Sequence, residues 1–83
     1  MTKYRVTNTK RFDRDMERIT RQGKKTDKLR QLVKLIAAGE QLPVSARMHK
    51  LSGIWNDCFE CHVAFDWLLI WQIEGDKLVL TAT

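Results

Sequence analysis

Polar and apolar positions alternate from Lys3 to Thr7, with Tyr4 and Val6 on one side and Lys3, Arg5 and Thr7 on the other. That period predicts a short, half-buried strand. The period then lengthens. Phe12, Met16 and Ile19 recur at i, i+4 and i+7, which makes one apolar stripe on a helix. Asn8 or Thr9 can cap this helix by accepting from a free N–H of its first turn. Arg18 and Arg21 suit the negative end of the helix dipole, and Gly23 is placed to end it. Lys24-Lys25 forms a short connection. Thr26 or Asp27 can cap a second helix, in which Leu29, Leu32, Val33 and Ile36 form the buried stripe, Leu35 lies on the flank and Gly39 closes the element. So short a link implies an antiparallel helical hairpin.

Glu40 to Ser45 contains the only proline, Pro43, and reads as an irregular link. After Ser45 the period becomes strand-like. Ala46 to Leu51 alternates, Ser52-Gly53 is a turn signal, and Asp57 to Phe65 alternates again. Trp67 to Ile73 is apolar except for Gln72, as expected of a central strand covered on both faces. Glu74-Gly75-Asp76 reads as a hairpin turn, followed by a strand from Lys77 to Thr83. The expected order is β-α-α-β-β-β-β. This is an α+β fold in which an N-terminal strand and a helical hairpin pack on a small, mostly antiparallel sheet. The 83 residues suffice for one domain, 1–83, with a modest core. No internal repeat is visible.

Charge changes this picture. Residues 1–50 carry 14 Lys/Arg and 5 Asp/Glu, whereas residues 51–83 carry 1 and 5. A basic half beside an acidic, histidine-bearing half suggests a polyanionic partner held next to an acid–base site, although a solvated basic helix surface accounts for the charge equally well. Lys24, Lys25, Lys28, Arg30 and Lys34 are expected on or near the outer surface of the hairpin. No apolar run approaches the roughly 20 residues of a membrane span, and Met-Thr-Lys-Tyr-Arg offers no apolar stretch for a signal peptide. A cytoplasmic location is the default expectation, with Cys58 and Cys61 as free thiols.

The candidate chemistry lies between Met48 and Trp67, a stretch that holds both histidines, both cysteines and two of the three tryptophans. Successive side chains of a strand point to opposite faces. One face therefore carries Phe59, Cys61, Val63 and Phe65 and should pack on the helices. The other carries Cys58, Glu60, His62, Ala64 and Asp66. If Arg47, His49 and Leu51 of the preceding strand share that second face, then Arg47, His49, Glu60, His62 and Asp66 converge, although a slip of one residue would reverse this. Two imidazoles beside carboxylates suit general acid–base chemistry, and nearby cations can stabilise charge building on a phosphate. Metal-free RNA cleavage uses such a set. Trp55, Trp67 or Trp71 could add a stacking surface, but Trp67 and Trp71, inside the apolar run, read better as core. Cys58-Phe-Glu-Cys61-His62 also fits a haem-attachment pattern or, with His49, a zinc site. An extended strand would separate the two thiols, so Cys61 reads as a small core residue and Cys58 as incidental.

The run His49-Lys-Leu-x-Gly-x-Trp55, followed by Glu60-x-His62-Val-x-x-Asp66-Trp67-x-Leu-Ile, resembles the YafQ branch of the RelE/ParE superfamily of type II toxin–antitoxin toxins. The resemblance covers nearly the whole chain and implies a RelE-like, microbial-ribonuclease-like sheet. It further implies mRNA cleavage in the A site of the 30S ribosomal subunit, without a metal or other cofactor. On this basis His49 and His62 are catalytic acid–base candidates, Asp66 supports or orients them, and Glu60 stands where the family often has an acidic residue. Arg47, Lys50, Lys24, Lys25, Lys28 and Trp67 would contact RNA or phosphate. The implied partners are a cognate antitoxin, held in a toxin–antitoxin hetero-oligomer, the ribosome and mRNA; no membrane is implied. The family's last strand usually runs on into Gly-Thr-His-x-x-Leu-Phe, whereas this chain stops at Thr81-Ala82-Thr83. That difference implies a truncated or naturally shortened form with weakened or lost activity. A non-enzymatic gyrase inhibitor of the ParE type and a plain RNA-binding module are the alternative readings. The paired histidines and the Asp-Trp motif favour the ribonuclease.

Overall fold

The computed structural model describes residues 2–83. Met1, the first residue of the segment read above for a leader and of the expected domain, lies outside them. The elements are β1 (Arg5–Asn8), α1 (Lys10–Arg21), α2 (Asp27–Ala37), β2 (His49–Lys50), β3 (Cys58–Ala64), β4 (Trp67–Glu74) and β5 (Lys77–Ala82). This is the order expected from the sequence. The strands form one sheet in the order β1-β5-β4-β3-β2. β1 runs parallel to β5, and every other pairing is antiparallel.

The local signals act as anticipated. Thr9 caps α1, its Oγ1 accepting from the Phe12 N–H at 3.0 Å. Gly23, at φ +77°, takes the chain out of α1 while the Lys24 N–H donates back to the Ile19 carbonyl at 3.2 Å. Gly39 closes α2 in the same way. Here the lack of a side chain matters twice, because a Cβ would also come within 2.7 Å of the Lys3 side chain. Thr26 occupies the capping position of α2 but makes no side-chain capping bond.

The core lies between the helical hairpin and one face of the sheet. Phe12 and Ile19 of α1 and Leu29, Leu32 and Ile36 of α2 meet Cys61, Val63, Leu69, Trp71, Leu78 and Leu80 of the sheet. Burying such side chains contributes roughly 1.5–3 kcal/mol each. One polar group joins them. Asp15, on the inner side of α1, is buried; it accepts from the Thr83 N–H at 3.1 Å and from Arg18 at 3.0 Å. Trp67 Nε1 donates to Thr83 Oγ1 at 2.8 Å, and that hydroxyl donates to the Leu68 carbonyl at 2.7 Å. The end of β5 is thereby fastened to both α1 and β4.

The structure corrects four expectations. β1 begins at Arg5, two residues late, and is exposed along its length, because an edge strand has a neighbour on one side only. Tyr4 packs on the core, but Val6 does not. β2 is two residues long. Val44–Ala46 forms a 3-10 turn, and Arg47 at φ +50° breaks the extended conformation before it can begin at Ala46. β4 is covered on one face only: Trp67, Leu69 and Trp71 are buried, while Leu68, Ile70 and Gln72 on the other face are half-buried. Finally, Phe65 is not in the core. The β3–β4 register shifts between His62 and Ala64, the alternation ends there, and Phe65 falls in the two-residue turn, 98% exposed. Among the described residues, no helix is long and apolar enough to cross a membrane.

Candidate active site

β3 carries Cys58, Glu60 and His62 on the face turned away from the helices. β2 pairs with it antiparallel, placing His49 directly opposite Glu60. Directly opposed residues share a face, and their side chains meet. His49 Nε2 lies 2.7 Å from Glu60 Oε2. The other ring nitrogen, Nδ1, lies 3.0 Å from the Arg47 carbonyl. Carboxylate and carbonyl oxygens both accept, so only the doubly protonated imidazolium makes both bonds. The left-handed conformation of Arg47 is part of this arrangement, because it turns the backbone just ahead of the ring. His49 is half-exposed while Glu60 is largely covered, so the imidazole presents itself to solvent from a carboxylate held in the sheet.

His62 follows Glu60 by two residues on the same face and is half-buried. It lines an open cleft of about 280 Å³ together with Arg47, Lys28 and Ser45. Arg47 is thus common to both histidines, its carbonyl bonded to His49 while the residue also lines the cleft of His62. Of the convergence expected from alternation, the structure brings His49 and Glu60 into contact and sets Arg47 and His62 along one cleft, which His49 and Glu60 do not line.

Asp66 does not join it. It occupies the exposed β3–β4 turn and lines a separate cleft with Arg11, Arg18, Lys24 and Trp67. Among the described residues, no hydrogen bond or ion pair connects Asp66 to either histidine. The orienting groups on His49 are instead Glu60 and the Arg47 carbonyl. Trp67 belongs to the core and is 9% exposed, its indole N–H donating to Thr83, while it also borders the cleft of Asp66; Lys24 Nζ lies 5.5 Å from its ring centroid. Trp71 is also core, stacked on Phe59 at 5.9 Å. Trp55 is half-buried, with the Arg11 guanidinium 5.0 Å from its ring centroid. Lys24, Lys25, Lys28, Arg30, Lys34 and Lys50 are exposed, but of these lysines only Lys28 lines the cleft of His62.

The cysteines sit on opposite faces, Cys58 opposite Gln72 and Cys61 opposite Leu69. Burial, and after it the charge of Glu60, pushes the Cys61 thiol up to about 11. Burial and then Asp57 raise Cys58. Both thiols stay protonated near neutral pH and are poor nucleophiles and metal ligands there. Cys58 is buried rather than incidental. Among the described residues, no group of three or more His, Cys, Asp or Glu side chains is arranged to hold a metal ion.

The sequence pattern leaves Asp15 without a role and places Phe65 on the wrong side. Asp15 lies three positions after Phe12, on the wheel position of the apolar stripe, and that position was the available signal. Phe65 was assigned to the core, and nothing in the alternation marks the register shift that exposes it.

A family model described as the bacterial toxin of type II toxin–antitoxin system, YafQ, matches residues 4–83. A sequence search of curated proteins finds no significant match. Among solved structures, a copper-bound mutant toxin from Helicobacter pylori superposes with a TM-score of 0.90 at 26% identity, covering 99% of this chain and 91% of that one. YafQ from E. coli gives 0.89 at 24% identity, covering 95% and 89%. The E. coli DinJ–YafQ complex gives 0.85 at 25% identity, covering 95% and 89%.

Proposed function

The chain belongs to the YafQ family of bacterial type II toxin–antitoxin toxins, and from that premise we propose that it is a ribosome-dependent mRNA endoribonuclease working by metal-free general acid–base catalysis. The observation that carries this reading is the His49–Glu60 pair at 2.7 Å, with His62 on the same face in a cleft that also contains Lys28 and Arg47. A non-enzymatic protein binder has no need of an imidazole oriented by a carboxylate with a second imidazole beside cations on the neighbouring cleft.

In this reading His62 takes the proton from a 2′-hydroxyl, and the freed oxygen attacks the adjacent phosphorus. The phosphorus–5′-oxygen bond breaks, leaving a 2′,3′-cyclic phosphate. His49, positioned by Glu60 and the Arg47 carbonyl, gives a proton to the departing 5′-oxygen. Arg47 and Lys28 balance the charge that builds on the phosphorane. Lys24, Lys25 and Lys50 extend the positive surface for ribosomal RNA. Asp66, outside hydrogen-bond reach of both histidines, is assigned to the RNA-facing rim.

Residues 1–83 are taken as one toxin domain in the bacterial cytoplasm, with a cognate antitoxin as its neutralising partner. The E. coli DinJ–YafQ complex supports the antitoxin by family kinship. The test is mRNA cleavage on programmed ribosomes by the wild type, His49→Ala and His62→Ala. Each substitution should cost about 10²–10⁴-fold in rate while RNA affinity holds, the usual size of a general acid or base contribution. Gyrase inhibition without cleavage would transfer the protein to the ParE-type reading, and unaltered RNA binding without cleavage to that of a binding module.

A further inference from the structure

The β3–β4 turn places an aromatic ring in solvent beside the cleft of His62. Phe65 is 98% exposed and lines that cleft together with His62, Arg47 and Lys28. A single exposed apolar side chain is ordinary on a protein surface. Here, however, Phe65 borders, together with two cations and an imidazole, an open cleft of about 280 Å³. Single-stranded RNA is gripped by this combination, with cations along the backbone and an aromatic face for an unstacked base.

We infer that Phe65 is a nucleobase-stacking platform that holds the RNA strand in the cleft of His62, an inference that rests on the ribonuclease reading above. Two features favour RNA over a protein contact. The centre of a protein interface is depleted of charge, whereas the neighbours of Phe65 in the cleft include Lys28, Arg47 and His62. The exposed apolar side chains Val44 and Met48 line a neighbouring hollow with Leu42 and Pro43, and the residue common to that hollow and the cleft of Phe65 is the charged Arg47. The turn also suits the role. Phe65 and Asp66 are adjacent, yet they line different clefts, so a stacked base would be held on the His62 side of the hairpin. Phe65 is a positioning residue here, since it touches the substrate's base and not the reacting atoms.

The test is fluorescence anisotropy with a short labelled single-stranded RNA, using the whole 83-residue chain as wild type, Phe65→Ala and Phe65→Trp. An exposed turn residue can be replaced without loss of the fold. Phe65→Ala should weaken binding about tenfold, within the range for one base stack, and Phe65→Trp should restore it. The dependence of Kd on salt should keep its slope in Phe65→Ala, because a ring releases no counterions, while Lys28→Ala should lower that slope by about one. In ribosomal cleavage, KM should rise in Phe65→Ala with kcat unchanged. Equal RNA affinity of wild type and Phe65→Ala overturns the inference, and so does loss of antitoxin affinity in Phe65→Ala with RNA affinity intact. Cleavage by the wild type that is unchanged in Phe65→Ala overturns it while leaving the ribonuclease reading standing. Phe65-dependent RNA binding without any cleavage supports the platform and rejects that reading.

Discussion

The two faces of β3 are built from neighbouring residues and do opposite work. Toward the helices, Cys61 and Val63 are fully buried, as are Leu69 of the adjoining β4 and Leu78 of β5 beyond it. One residue away on the other face, Glu60 and His62 are half-buried, and Glu60 meets His49 across the edge. The apolar face is held by many small contacts within the core, with α2 packed on β3 and α1 on β5. The polar face is held by few, directed ones. One strand therefore both anchors the fold and carries the groups of the proposed chemistry, the packed face giving the polar face a firm support. Substitutions on one face should move stability, and those on the other should move activity.

The sharpest way to break this division is Leu69→Ala. It empties a fully buried site and should cost about 2–5 kcal/mol. For a chain of this size the melting temperature should fall by at least about 10 °C, as seen by circular dichroism, with the histidine pair untouched. A melting temperature within a few degrees of wild type would mean that the helix-facing layer is not what holds β3. A smaller effect of the opposite kind is expected of Glu60→Gln. It keeps the shape but removes the charge facing His49, and should slow cleavage about tenfold, equivalent to roughly 1.4 kcal/mol. Its melting temperature should stay near wild type, and a large drop would show that the polar face also carries the fold. The mildest test uses pH. Cys61 is raised from 9.0 to about 11 in the folded chain, so the unfolded chain releases its proton first. The stability this residue contributes is complete below about pH 9 and is lost as pH rises toward about 11. Urea midpoints measured across that window should fall in the wild type and fall less in Cys61→Ala.

Much of the fold was legible because periodicity is a local property. The stripe of Phe12, Met16 and Ile19, the cap at Thr9 and the glycines at 23 and 39 each act within a few residues, and each appears where expected. The alternation through Glu60 and His62 was equally legible, and with it the sharing of one face by the two groups. Phe65 and the length of β2 were not. The register shift after His62 and the left-handed Arg47 are backbone events with no side-chain pattern of their own. Trp67 was legible as core from its apolar run.

By itself, then, the sequence determined the kinds and order of the elements, the inner faces of both helices, and the residues able to move protons. Hydrophobic spacing decides which side chains must leave water, and residue chemistry decides which can titrate. Only the tertiary structure decided that β1 lies parallel to β5, that His49 stands opposite Glu60, and that Asp15 fastens the end of β5. It also decided that Phe65 and Asp66 line separate clefts. Alternation fixes the face of a strand but not its neighbour or its register, and those are chosen by how well the whole sheet closes over the core.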